Sequence, residues 1–176
     1  MNSSGMTWLV FALATVCCWG LYGILLHAGQ ISMNDPANGR YKAFFIVGVA
    51  YLLTAVIGSA VVMMINGSDW SFPARGLWLS LAAGAVGAFG AFFVLLAFGA
   101  KGTPAVVMSI VFGGAPIVNA VTALILHPPA GGYSSLRWQF LLGIFLAALG
   151  GFLVSMYKPG PAPPKKPAAG IEQSQH

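Results

Sequence analysis

TPAVVMSIVFGGAPIVNAVTALIL, residues 103–126, decides the fold. The stretch carries no charge and, at about 1.5 Å rise per residue, is long enough as a helix to cross a hydrocarbon core of about 30 Å. Thr103 is a natural N-cap. Pro104 suits the first helical position, where its missing N–H costs nothing, and His127-Pro128-Pro129 closes the far end. A membrane-spanning helix with both boundaries written locally is therefore expected. Gly113, Gly114 and Pro116 weaken its ladder in the middle, and Asn119 follows one turn on. Lipid offers that amide no partner, so a softened helix beside it is a candidate transport site.

The composition places the rest of the chain in the same solvent. With 58% hydrophobic and 6% charged residues, the chain cannot build a water-soluble surface, which needs roughly a quarter to a third charged side chains. An all-α integral membrane protein is expected, with the lipid bilayer as its first partner. The net charge of +5 comes from a few basic residues lying between apolar blocks. They read as topology signals, and no nucleic-acid partner is expected. Cys17 and Cys18 are adjacent inside an apolar run, where a mutual bridge would be strained and metal-ligand spacing is absent, so no metal site or cofactor is expected.

Five spans are expected, at about 6–26, 43–65, 76–99, 103–126 and 138–156, followed by a disordered, Pro- and Lys-rich cytoplasmic tail over 158–176. The first shows no clear basic n-region or cleavage site of a secretory signal and is expected to be a transmembrane helix. It holds Trp19 and Tyr22, three residues apart and so on one face, which are candidates to line a substrate cavity or simply to pack. His27 is expected at its end as an interfacial anchor. Residues 29–42, with Asn34, Asp35, Pro36, Asn38 and Gly39, read as a polar connection outside the lipid. In the third span Gly76, Ser80, Gly84 and Ala88 recur four apart, and in the fifth Gly143, Ala147 and Gly151 do the same. Such stripes let membrane helices approach closely; the second could serve within the chain or between chains. The short link Ala100-Lys101-Gly102 makes spans three and four antiparallel neighbours, with Lys101 either a topology marker or a charge at the mouth of a cavity.

Five crossings put the two ends of the chain on opposite sides. Arg40, Lys42, Lys101, Lys158, Lys165 and Lys166 fall on one side and Arg75 and Arg137 on the other, so the positive-inside rule predicts the N-terminus outside and the C-terminus in the cytoplasm. Asp35, Asp69 and Glu172, the only acids, all fall outside the spans. Proton-for-cation exchange, which needs a carboxylate within the membrane, is thereby disfavoured. The spans carry no paired carboxylates, no Ser/His/Asp or Cys/His arrangement, no phosphate loop and no HExxH, and an enzyme is not expected. The polar groups left within them, on Trp19, Tyr22, Thr54, Ser109, Asn119 and Thr122, suit a neutral, zwitterionic or sugar-bearing solute held by hydrogen bonds and stacking.

The order and spacing of the Trp19-Gly20 pair, the tight turn between spans three and four, the SIVFGGAPIVNAVTALIL run with its central Pro116 and the closing LLGIFLAALGGFLVSM make residues 7–157 resemble one half of an EamA-type transporter of the drug/metabolite transporter superfamily. Members of that family are similar to two five-helix units fused in opposite orientations. The resemblance implies a half-size transporter that pairs, as a homodimer or with a separately encoded five-helix unit, to move a small metabolite past Trp19, Tyr22, Ser109, Pro116 and Asn119. Placement in a bacterial inner membrane goes with it. Two other roles fit the same residues: a non-transporting scaffold or regulatory subunit that docks through the small-residue stripes, and a subunit of a lipid-linked sugar flippase.

Overall fold

The computed structural model describes residues 6–158. The tail over 159–176, with Lys165, Lys166 and Glu172, lies outside the described residues. Every regular element among those described is helical. Five helices are long and apolar enough to cross a membrane: α1 (Thr7–Ser32), α2 (Gly39–Ile65), α3 (Ala74–Gly99), α4 (Pro104–Leu126) and α5 (Trp138–Met156).

The local signals explain most of the boundaries. Thr103, in extended backbone, and Pro104 start α4; Pro73 precedes α3; His127 ends α4 where two prolines follow. The turn between α3 and α4 is a Schellman closure, in which the Gly102 N–H donates to the Ala97 carbonyl at 2.9 Å and the Lys101 N–H to the Phe98 carbonyl at 3.1 Å. Lys101 holds the left-handed position with φ of 69°. Within α2, residues Leu52–Gly58 are wound as a π-helix between two α-helical halves, and nothing in the local sequence explains it.

Two boundaries differ from the sequence reading. α1 continues past Leu26 to Ser32, and α2 begins at Gly39, so the connection contracts to residues 33–38. Asp35 organises that turn: one carboxylate oxygen accepts the N–H groups of Ala37 at 3.1 Å and Asn38 at 2.9 Å, and the other pairs with Lys42 Nζ at 2.6 Å. This Asx-type turn reverses the chain in few residues, and both helices run on beyond the apolar stretch.

The helices converge at one end and splay at the other. Leu26 of α1, Ala43 of α2, Val94, Leu95 and Phe98 of α3 and Met108 of α4 form one buried cluster, and Leu95 has no exposed surface at all. All six lie near the 33–38 turn and the α3–α4 turn, which we call the closed end. At the open end the packing stops: residues 71–90, which include the first part of α3, are all exposed. Trp8, Trp70, Trp78, Tyr133 and Trp138 ring this open end, each at least half exposed, as amphipathic rings at a bilayer interface would be.

α5 touches only α4 among the described helices. The two cross where side chains are smallest: a Cβ on Gly113 would stand 3.2 Å from both the Ala147 carbonyl oxygen and Gly151 Cα, and one on Gly151 only 2.9 Å from the Ser109 carbonyl oxygen. Ala147 and Gly151 of the fifth-span stripe thus work inside the chain, while Gly143 meets nothing within 4 Å. The third-span stripe differs. Gly76 and Gly84 have no neighbour within 4 Å, and Ser80 and Ala88 are exposed.

The α4–α5 crossing makes a test. Gly151→Ala drives a methyl into backbone and should lower stability by about 1–3 kcal/mol, as overpacking does, in detergent unfolding followed by circular dichroism. Gly150→Ala, where no atom lies within 4 Å, should be neutral or stabilising by up to about 1 kcal/mol through helix propensity.

Candidate functional site

A crevice of about 800 Å³ runs between α1, α3 and α4. Thr15, Val16 and Trp19 contribute from α1; Gly87, Ala91 and Phe93 are among those from α3; Met108, Phe112 and Ala115 are among those from α4. The convergence at Leu95 shapes it: helices held together at the closed end and diverging toward the open end leave a wedge between them. Its walls are almost wholly apolar. Thr15 does not change this, since its hydroxyl donates back to the Phe11 carbonyl at 2.9 Å. The Trp19 indole is the remaining polar handle.

Trp19 and Tyr22 do share a face: their rings lie 5.5 Å apart, tilted by 54°. Trp19 lines the crevice, and Tyr22 sits behind it, half-buried against the core cluster, with a hydroxyl that is buried and unpartnered among the described residues. Asn119 is exposed and its amide has no partner among the described residues. It does not touch the crevice as bounded above. At 3.6 residues per turn, however, Met108, Phe112, Ala115 and Asn119 fall on one stripe of α4, so the amide continues the crevice wall one turn nearer the open end. Pro116 has no N–H to give the Phe112 carbonyl, which loosens the ladder beside that wall.

The other candidates lie elsewhere. Ser109 is at the α4–α5 seam, and its hydroxyl donates to the Ala105 carbonyl at 2.6 Å, so its bonding capacity is spent within its own helix. Lys101 is exposed in the closed-end turn and does not line the crevice. His27, expected at a helix end, is inside α1, edge-on to Phe98 at 5.2 Å, with Nδ1 buried and unpartnered among the described residues. Sequence reasoning missed the apolar lining from α3. Its residues are ordinary aliphatics, and only the placement of three helices marks them. Among the described residues no three His, Cys, Asp or Glu side chains gather.

No family model, curated protein or solved structure matches the chain.

Among the described residues outside the five long helices, Asp35 has a clearly perturbed carboxyl. The hydrogen bond from Lys42 holds its carboxyl below the ordinary carboxylate value, helped by the Asn38 N–H. A depressed folded-state value stabilises the fold above the ordinary carboxylate range, and the contribution disappears as pH falls through the lowered value. The melting-temperature difference between the wild type and Asp35→Asn should therefore be widest near neutrality and close below about pH 4, in a detergent thermal scan across pH.

Proposed function

We propose that the chain is a five-helix transport unit that moves a small neutral, zwitterionic or sugar-like solute across a bacterial inner membrane, paired with a second five-helix unit as in the EamA-type transporters it resembles. The observation that carries this reading is the wedge between α1, α3 and α4, with Trp19 in its wall and the Asn119 amide on the continuation of that wall. A crevice open along one side of a single unit becomes an enclosed path when a second unit covers it. An amide exposed within an apolar span is costly in lipid, and a partner or a bound solute relieves that cost. Trp19 and Asn119 are the residues we place against the solute. Tyr22 supports the indole from behind, Pro116 gives α4 local freedom, and Ser109 is a seam residue.

The proposed orientation has the closed end in the cytoplasm. Arg40, Lys42, Lys101 and Lys158 gather there, against Arg75 and Arg137 at the open end. A fluorescent protein fused to the C-terminus should accordingly fold and fluoresce, whereas a periplasmic-only reporter at the same point should stay silent.

The lining itself favours a second reading. Aliphatic and aromatic walls suit an isoprenoid or acyl chain better than a bare sugar, which keeps a lipid-linked sugar flippase subunit in play. Proteoliposome uptake separates these roles. Asn119→Leu should insert normally and lose at least about tenfold of solute uptake, the effect of about 1.4 kcal/mol. Uptake equal to wild type removes Asn119 from the path. A wild-type chain that moves no soluble solute but flips a fluorescent lipid-linked sugar supports the second reading, and one that moves neither leaves the scaffold role.

A further inference from the structure

Each wall of the crevice between α1, α3 and α4 brings a ring to it: Trp19 from α1, Phe93 from α3 and Phe112 from α4. Tyr22 braces the indole, with its own ring centre 5.5 Å away. Part of the α3 wall is bare backbone. Gly87 and Gly90 both line the crevice, and a Cβ on either would find no atom within 4 Å, so the space in front of them is open. No lining side chain is charged, and those of Trp19 and Thr15 alone carry a hydrogen-bonding group. The indole donates and does not accept. The Thr15 hydroxyl has given its proton to the Phe11 carbonyl at 2.9 Å and keeps only its lone pairs. That short inventory discriminates between ligands. A zwitterion would leave its charges unpaired there and a sugar most of its hydroxyls, and each unmatched group forfeits its hydration. A ring packed edge-on or offset against other rings gains beyond the area it buries, which an acyl chain does not.

We propose that the crevice takes an uncharged, planar aromatic molecule bearing a single carbonyl-type acceptor. The flat body lies among Trp19, Phe93 and Phe112 against the glycine surface of α3, and its acceptor takes the Trp19 N–H. The volume of about 800 Å³ falls within the roughly 300–1,000 Å³ of small-molecule sites. The inference rests on the reading of the crevice as the solute's path and narrows the solute from any small neutral, zwitterionic or sugar-like molecule to one class. It leaves the Asn119 amide to meet the same molecule nearer the open end, and it does not depend on how a second unit pairs.

The test is equilibrium binding of tritiated acetylnaphthalene to the full chain in nanodiscs, corrected for empty nanodiscs. Binding should be saturable. Unlabelled methyl decyl ketone, an aliphatic ketone with as many carbons, should compete at least about tenfold less well, and tryptophan and glucose should not compete. Gly87→Leu, whose side chain enters open space, should abolish saturable binding with helix content intact. Gly143→Leu, equally free of neighbours but on α5 outside the lining, should bind as wild type. Trp19→Leu should weaken binding about tenfold. Any of four results would overturn the proposal: no saturable binding, full competition by the decyl ketone, which would make the occupant an acyl chain, competition by tryptophan or glucose, or undiminished binding in Gly87→Leu. A loss in Gly143→Leu equal to that in Gly87→Leu would do the same. Uptake of a sugar or zwitterion into proteoliposomes by a chain that does not bind acetylnaphthalene sinks this inference and leaves the transport reading standing; acetylnaphthalene binding by a chain that moves no solute supports the site and sinks transport.

Discussion

Leu95 is the contact on which the rest of the bundle depends. Three other helices bring side chains to the cluster around it, and none of its surface remains exposed. For five helices long and apolar enough to cross a membrane, a closure set in lipid would have no hydrophobic drive behind it, because acyl chains are as apolar as the leucines they would replace. What holds the closed end is shape: interlocking Val94, Phe98, Met108 and Leu26, tied by two turns whose backbone bonds are satisfied internally. Where that interlocking ends, so does the contact between α1, α2 and α3. The crevice is the geometric residue of an end that closes and an end that does not.

Much of this was legible in the chain. The fourth and fifth helices begin and end where Thr103, Pro104, His127 and Trp138 indicate, because caps and prolines act through their own backbone. Sequence alone makes the first connection too long, since charge and turn-forming residues there suggest the end of a helix. Arg40 and Lys42 are instead helical, and Asp35 compresses the turn with its own side chain. The π-helical stretch of α2 had no signal.

The site was legible only in part, for a physical reason. Three-residue spacing is enough to set Trp19 beside Tyr22, since both ride on one helix. The same kind of spacing gave two small-residue stripes of equal quality. One meets Gly113 and Ser109, while Gly76 and Gly84 of the other meet nothing within 4 Å. Periodicity says that a face can be approached closely; it cannot name what approaches. Nor could it find the crevice, whose lining on α3 is chemically plain, or the seating of the Arg40 guanidinium over Gly99 of another helix.

The attachment of α5 carries a mechanical consequence. Because it bears on α4 alone, the two helices form an arm fastened along its length and joined to the remaining three through the Leu95 cluster and the turn at Lys101–Gly102. Gly102 is wedged there, with no room for a methyl beside Val107 and the Ala97 carbonyl. Any displacement of α5 relative to the other helices must therefore pass through α4, whose face carries Phe112 and Ala115 of the crevice wall.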